Sequence, residues 1–77
     1  MNKERRKKLE DVAAEIETLM EKLEDVASEE QEAFDNLPEG LQESEKGERA
    51  QSSIDALENA RNSLEEAVES INEAMEQ

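Results

Sequence analysis

Residues 9–27, LEDVAAEIETLMEKLEDVA, decide the architecture. Leu9, Val12, Ile16, Leu19, Leu23 and Val26 recur at alternating steps of three and four. That spacing returns a side chain to the same face of a helix at every turn. Ala33 and Leu37 extend the series, which skips only Glu30. Written as a heptad, residues 9, 16, 23, 30 and 37 fall at a, and residues 12, 19, 26 and 33 at d. Ala13, Met20, Ala27 and Phe34 occupy the adjoining e column, so the apolar stripe is wider than a two-stranded seam needs.

The second half repeats the rhythm. Ala50, Ile54, Leu57, Leu64, Val68, Ile71 and Met75 keep it, with Arg61 at the skipped a position and Ala60, Ala67 and Ala74 in the g column. Gly and Pro are absent from both seams, and Ala, Glu, Leu and Lys favour helix. The pattern predicts a first helix over about residues 3–36, a turn over 37–45 and a second helix over about 46–76.

Leu37-Pro38-Glu39-Gly40 suits a type I turn. Pro38 cannot continue the first helix and biases Leu37 away from it. Ser44 is a candidate N-cap of the second helix, with Ser52 and Ser53 as later candidates. Ser28, with Gln31 three residues on, also has cap character, but the heptad runs straight through it.

A short connection makes the helices antiparallel neighbours. A fold near residues 43–44 pairs Leu37 with Ala50, Leu23 with Leu64 and Ile16 with Ile71, and brings Glu30 and Arg61 within about one turn of each other as a polar pair in the seam. The fold class is all-α, an antiparallel helical hairpin. An a/d/e face on one helix and an a/d/g face on the other leave one apolar flank uncovered. A homodimer forming a four-helix bundle is the simplest cover, and a host protein partner is the alternative.

Composition excludes much chemistry. The chain has 77 residues, no Cys and no His, which removes disulfides, zinc fingers and thiol or imidazole nucleophiles. Asp35 and Gly40 fit positions 1 and 6 of a calcium loop, but Leu37, Glu39 and Lys46 occupy ligand positions 3, 5 and 12. A di-iron bundle site needs His. Paired carboxylates need a cleft to act as acid and base, and a hairpin offers none. The expectation is a protein that is not an enzyme, with no cofactor, no metal and no small-molecule substrate. No stretch has the length and apolarity of a membrane span, and the basic start is not followed by an apolar run. A soluble cytoplasmic protein is expected.

Charge is unevenly placed. The net charge is −14, and 42% of residues are charged. Lys3, Arg5, Arg6, Lys7 and Lys8 against Glu4 give residues 1–8 a net of +4, so residues 9–77 carry −18. Five basic groups joined to so acidic a body, with no aromatic residue for base stacking beyond Phe34, argue against direct nucleic-acid binding. In the hairpin the basic end lies beside the acidic end of the second helix, with Glu65, Glu66, Glu69, Glu73 and Glu76. Spread along a rod of roughly 50 Å, −18 is about one charge per 2.8 Å, against about 1.7 Å in duplex DNA. Nucleic-acid mimicry by a dimer is therefore one reading of the acidic surface, and simple solubility is the other.

The stretch Asp35–Glu48 has the pattern D-N-L-P-E-x-L-Q-x-S-E-x-G-E. It resembles small acidic helical proteins encoded by phages and mobile elements of Gram-positive bacteria. The resemblance implies a mobile-element setting and action by binding host or rival machinery. The residues reach beyond what a minimal turn requires. Phe34, Leu37, Leu41, Gln42, Glu43 and Glu45 are accordingly candidate partner contacts, with an end-cap of the bundle as their other role. The predicted function is a non-catalytic protein–protein interaction module. Alternatives are an inhibitor of a host defence or DNA-handling protein, and a scaffolding protein.

Overall fold

The computed structural model describes residues 1–77. Helix α1 runs over Lys3–Asp35, a single helical turn α2 over Glu39–Gln42, and helix α3 over Glu45–Glu76. Helices α1 and α3 lie against each other along a rod of 58 × 15 × 11 Å. This is the expected all-α hairpin, and no helix is long and apolar enough to cross a membrane.

Helix α1 starts where Asn2, in extended backbone, accepts the Arg5 amide on its side-chain oxygen at 2.8 Å. That satisfies one of the amides a helix start leaves free, and Glu4 in the first turn complements the dipole. The helix continues through Ser28 without interruption.

The seam differs from the expected a/d pattern. On α1 the a and e columns face α3. Ala13 is buried, and Leu9, Ile16, Met20, Leu23, Ala27, Phe34 and Leu37 are half-buried. The d residues Val12, Leu19 and Val26 stand outside, 43%, 49% and 45% exposed. Helix α3 does use a and d, burying Ile54 and Val68 and half-burying Ala50, Leu57, Leu64, Ile71 and Met75. An apolar arc over d, a and e spans about 100° of the α1 surface, and one neighbouring helix covers only part of it. The e column carries Met20 and the lone aromatic, Phe34, against Ala33 at the end of d. Rotation toward e hides Met20 and Phe34 and leaves Val12 and Val26 outside while the smaller Ala13 and Ala27 turn inward.

The corner also differs. Pro38 has φ −55° and ψ 146°, not the helical angles of a type I turn, and it opens α2 instead. The amides of Leu41 and Gln42 donate to its carbonyl at 2.8 and 3.1 Å. The Gln42 side-chain amide then reaches back to the carbonyls of Phe34, Leu37 and Asp35 at 3.3, 3.2 and 3.4 Å. Phe34 and Asp35 belong to the last turn of α1, whose carbonyls have no partner four residues on within the helix, and Leu37 lies two residues beyond its end. Ser44 sits at the N-cap of α3 in extended backbone, but its hydroxyl donates to the Leu41 carbonyl instead of capping an amide.

Gly47 lets this corner close. It is buried in the first turn of α3 against the Gln42 backbone. A Cβ there would lie 2.0 Å from the Gln42 carbonyl oxygen and 2.5 Å from its carbon. Gly40 has nothing within 4 Å of the same construction.

The two glycines should respond oppositely to alanine. Gly47→Ala should lower stability by about 1–3 kcal/mol despite alanine's better helix propensity. Gly40→Ala should be neutral or stabilise by up to about 1 kcal/mol. Urea unfolding followed by circular dichroism measures both, and equal effects would contradict the corner geometry.

Candidate functional site

The hairpin has two unlike flanks. With 100° between residues, the b column of α1 lies beyond e, and the d column lies on the other side of a. On the e/b flank an open groove of about 470 Å³ runs between the helices. Glu17, Glu21 and Glu24 of α1 and Glu65 and Glu69 of α3 line it, over a floor that includes Met20 and Val68. Arg61 is its one basic residue.

Arg61 was expected to pair with Glu30. Instead its Nε donates to Glu24 at 2.6 Å and its Nη1 to Glu65 at 2.7 Å. Glu30 is half-buried in the a column and forms no ion pair with it. Glu30 lies six residues beyond Glu24, about 9 Å along the helix. Glu65 lies one turn along α3, so the guanidinium leaves the seam and sits between two carboxylates at the rim. There it keeps partial solvation, which a pair buried in the seam would lose. The hydrogen bond to Glu24 raises the Arg61 pKa above its ordinary value. Desolvation opposes the shift, and the charges of Glu65 and Glu24 and the hydrogen bond to Glu65 support it. A raised cationic pKa stabilises the fold at every pH below the ordinary arginine value and is lost only above the raised one. The contribution is therefore constant across the neutral range. All five groove carboxylates are exposed. No three acidic groups converge closely enough to hold a metal ion.

The d flank is different in kind. Val12, Leu19 and Val26 form an exposed apolar column on α1. In an antiparallel pair the d and g columns of both helices share one flank. On α3 that flank carries Ser53, Ala56, Ala60, Ser63, Ala67, Ser70 and Ala74, again at steps of three and four. Ala67 and Ala74 are half-buried and the others exposed. None of the seven bears a charge, in a chain that is 42% charged. The g column of α1 beside Val12, Leu19 and Val26 holds Lys8, Glu15, Lys22 and Glu29, all exposed and alternating in sign.

The residues singled out at the turn are largely occupied within the chain. Phe34 and Leu37 are half-buried under the corner, and Gln42 caps α1. Glu45 bonds Arg49 at 2.7 Å on the exposed start of α3. Leu41, 44% exposed, and Glu43 remain on the surface. At the other end, Arg6 does not pair with the carboxylates of α3. Its Nε donates to the Met75 carbonyl at 3.1 Å, within a last turn that has no basic residue of its own. A helix C-terminus carries partial negative charge on its free carbonyls, and the guanidinium answers it. Lys3, Arg5, Lys7 and Lys8 are exposed and form no salt bridge.

The Ala–Ser stripe had a readable signal of which only the three alanines of the g column stood out. Reading the c and g columns of the second helix together for absence of charge isolates it. Compared with family models, curated proteins and solved structures, the chain matches none.

The Arg61 bridge, with partners this exposed, should be weak. A double-mutant cycle with Glu24→Gln and Arg61→Gln should give near-additive effects by thermal unfolding, and a strong coupling would contradict the exposed placement of the bridge. Arg61→Glu should cost more than Arg61→Gln, because it adds a sixth carboxylate to the groove, and salt should recover part of the difference.

Proposed function

We propose that this chain is a non-catalytic protein–protein interaction module whose contact surface is the d flank. One observation carries the reading: Val12, Leu19 and Val26 keep 43–49% of their surface exposed in register along one side of a strongly charged rod. Exposed apolar columns bordered by polar residues mark sites where another helix docks. The uncharged Ala–Ser stripe beside them lets a partner approach α3 without desolvating carboxylates.

A second reading rests on the groove flank. Five carboxylates and one arginine line it, and residues 9–77 carry −18 along a 58 Å rod, about one charge per 3.2 Å. Under that reading the acidic face imitates nucleic acid and blocks a nucleic-acid-binding protein, as the phage-like motif at Asp35–Glu48 would suit. The single hairpin has about half the charge density of duplex DNA, and this favours the apolar flank.

Salt separates the two. Tagged wild type, Leu19→Asp and Glu17→Gln/Glu21→Gln/Glu69→Gln would be exposed to bacterial lysate at about 0.1 M and about 1 M salt, where the screening length falls from about 10 to about 3 Å. Contact through the d flank predicts retention that survives high salt and is lost in Leu19→Asp. Mimicry predicts retention lost at high salt and in the glutamine variant. Retention unchanged by Leu19→Asp would refute the proposed surface.

A further inference from the structure

We infer that the occupant of the d flank is a second copy of this chain, with α1 of one protomer antiparallel to α1 of its partner about a two-fold axis beside Leu19. The inference rests on the reading of that flank as the contact surface, and it names the partner.

The column is its own reverse. Val12, Leu19 and Val26 are spaced seven apart, so reversing α1 about Leu19 places Leu19 on Leu19 of the partner and Val12 on Val26 of the partner. The charged column beside it follows the same symmetry. Lys8 comes opposite Glu29 of the partner, and Glu15 opposite Lys22 of the partner. These charged rungs lie one residue, about 1.5 Å, from the apolar ones. Every rung then joins opposite signs. A parallel pairing sets the two charged columns on opposite sides of the seam, where Lys8 and Glu15 meet neither Glu29 nor Lys22 of the partner. An antiparallel slip of one heptad sets Lys8 on Lys22 and Glu15 on itself. One register among these is electrostatically complementary, which is how flanking charges select orientation in helix pairs.

Net charge does not oppose this face. The chain carries −14, but Lys8, Glu15, Lys22 and Glu29 sum to zero, and the Ala–Ser stripe of α3 adds none. Repulsion between two acidic chains is least when they meet here, with the acidic grooves turned away. Surface area points the same way. A compact monomer of this mass exposes about 4,700 Å², whereas the hairpin exposes 5809 Å². The difference, roughly 1,100 Å², exceeds the approximately 800 Å² per partner buried in a standard interface. The small side chains of the stripe keep the flank open to a helix at about 8 Å axial separation.

Light scattering across micromolar to millimolar concentrations should show mass rising from the 8.7 kDa chain to twice that. The protein has no cysteine, so single cysteines report the geometry. Under mild oxidation Leu19→Cys should link to itself about tenfold faster or more than the groove-side control Glu21→Cys, as expected when one site is held opposite itself. A mixture of Val12→Cys and Val26→Cys should form the mixed product in preference to either symmetric one. Glu15→Lys should raise the dimer dissociation constant about three- to tenfold, although it lowers the net charge, and Glu15→Lys/Lys22→Glu should restore it. Circular dichroism checks that each variant keeps its helices. A monomer at millimolar concentration, symmetric 12–12 and 26–26 products, or no rescue by the double reversal would overturn the inference. If the chain stays monomeric yet still holds another protein through Leu19, the dimer is wrong and the interaction module stands. If Leu19→Asp alters neither self-association nor capture, both fail.

Discussion

A helix whose apolar residues fill d, a and e presents an arc that one neighbouring helix cannot cover. Everything distinctive about this hairpin follows from how that excess is divided. Helix α1 turns its a and e columns to α3 and leaves Val12, Leu19 and Val26 outside. Only Ala13, Ile54 and Val68 among the apolar residues are buried, and none of them is completely sealed from solvent. So thin a core is what a short two-helix chain without a disulfide can bury by itself.

The corner settles how the two helices meet. Gln42 answers the free carbonyls at the end of α1, and Gly47 lets the backbone of α2 rest directly on the first turn of α3. Backbone contact of this kind leaves little room for sliding, so the helix ends are tied before any side chain in the seam is chosen. The segment that looks too long for a turn is long because it builds a cap, a helical turn and a contact surface for α3.

Charge is sorted by flank. Carboxylates crowd the e/b side, where Arg61 lies between Glu24 and Glu65, and they are absent from the Ala–Ser stripe on the other. The sorting sets two surfaces of opposite character on one narrow rod. One attracts cations and repels copies of itself. The other is neutral and apolar, and it is the side on which docking costs least desolvation.

The two long helices, their antiparallel pairing and the connection near Pro38 were legible in the chain, because the three-and-four spacing of Leu9 to Leu37 and of Ala50 to Met75 is a local property that needs no partner to read. The apolar excess on the first helix was legible too, as were the columns d and e. Which of those columns would face inward was not. Val12 and Ala13, or Leu19 and Met20, are adjacent apolar residues on one stripe, and choosing between them takes a rotation about the helix axis that only packing against α3 determines; the more hydrophobic Val12 is the one left outside. The same rotation moved the partner of Arg61 from Glu30 in the seam to Glu24 at the rim. Nothing local to Gly47 marks its close approach to the Gln42 backbone, which exists only in the folded corner. Periodicity along a chain specifies which residues share a face, whereas contact between two helices selects which part of that face is hidden and which is left for another molecule.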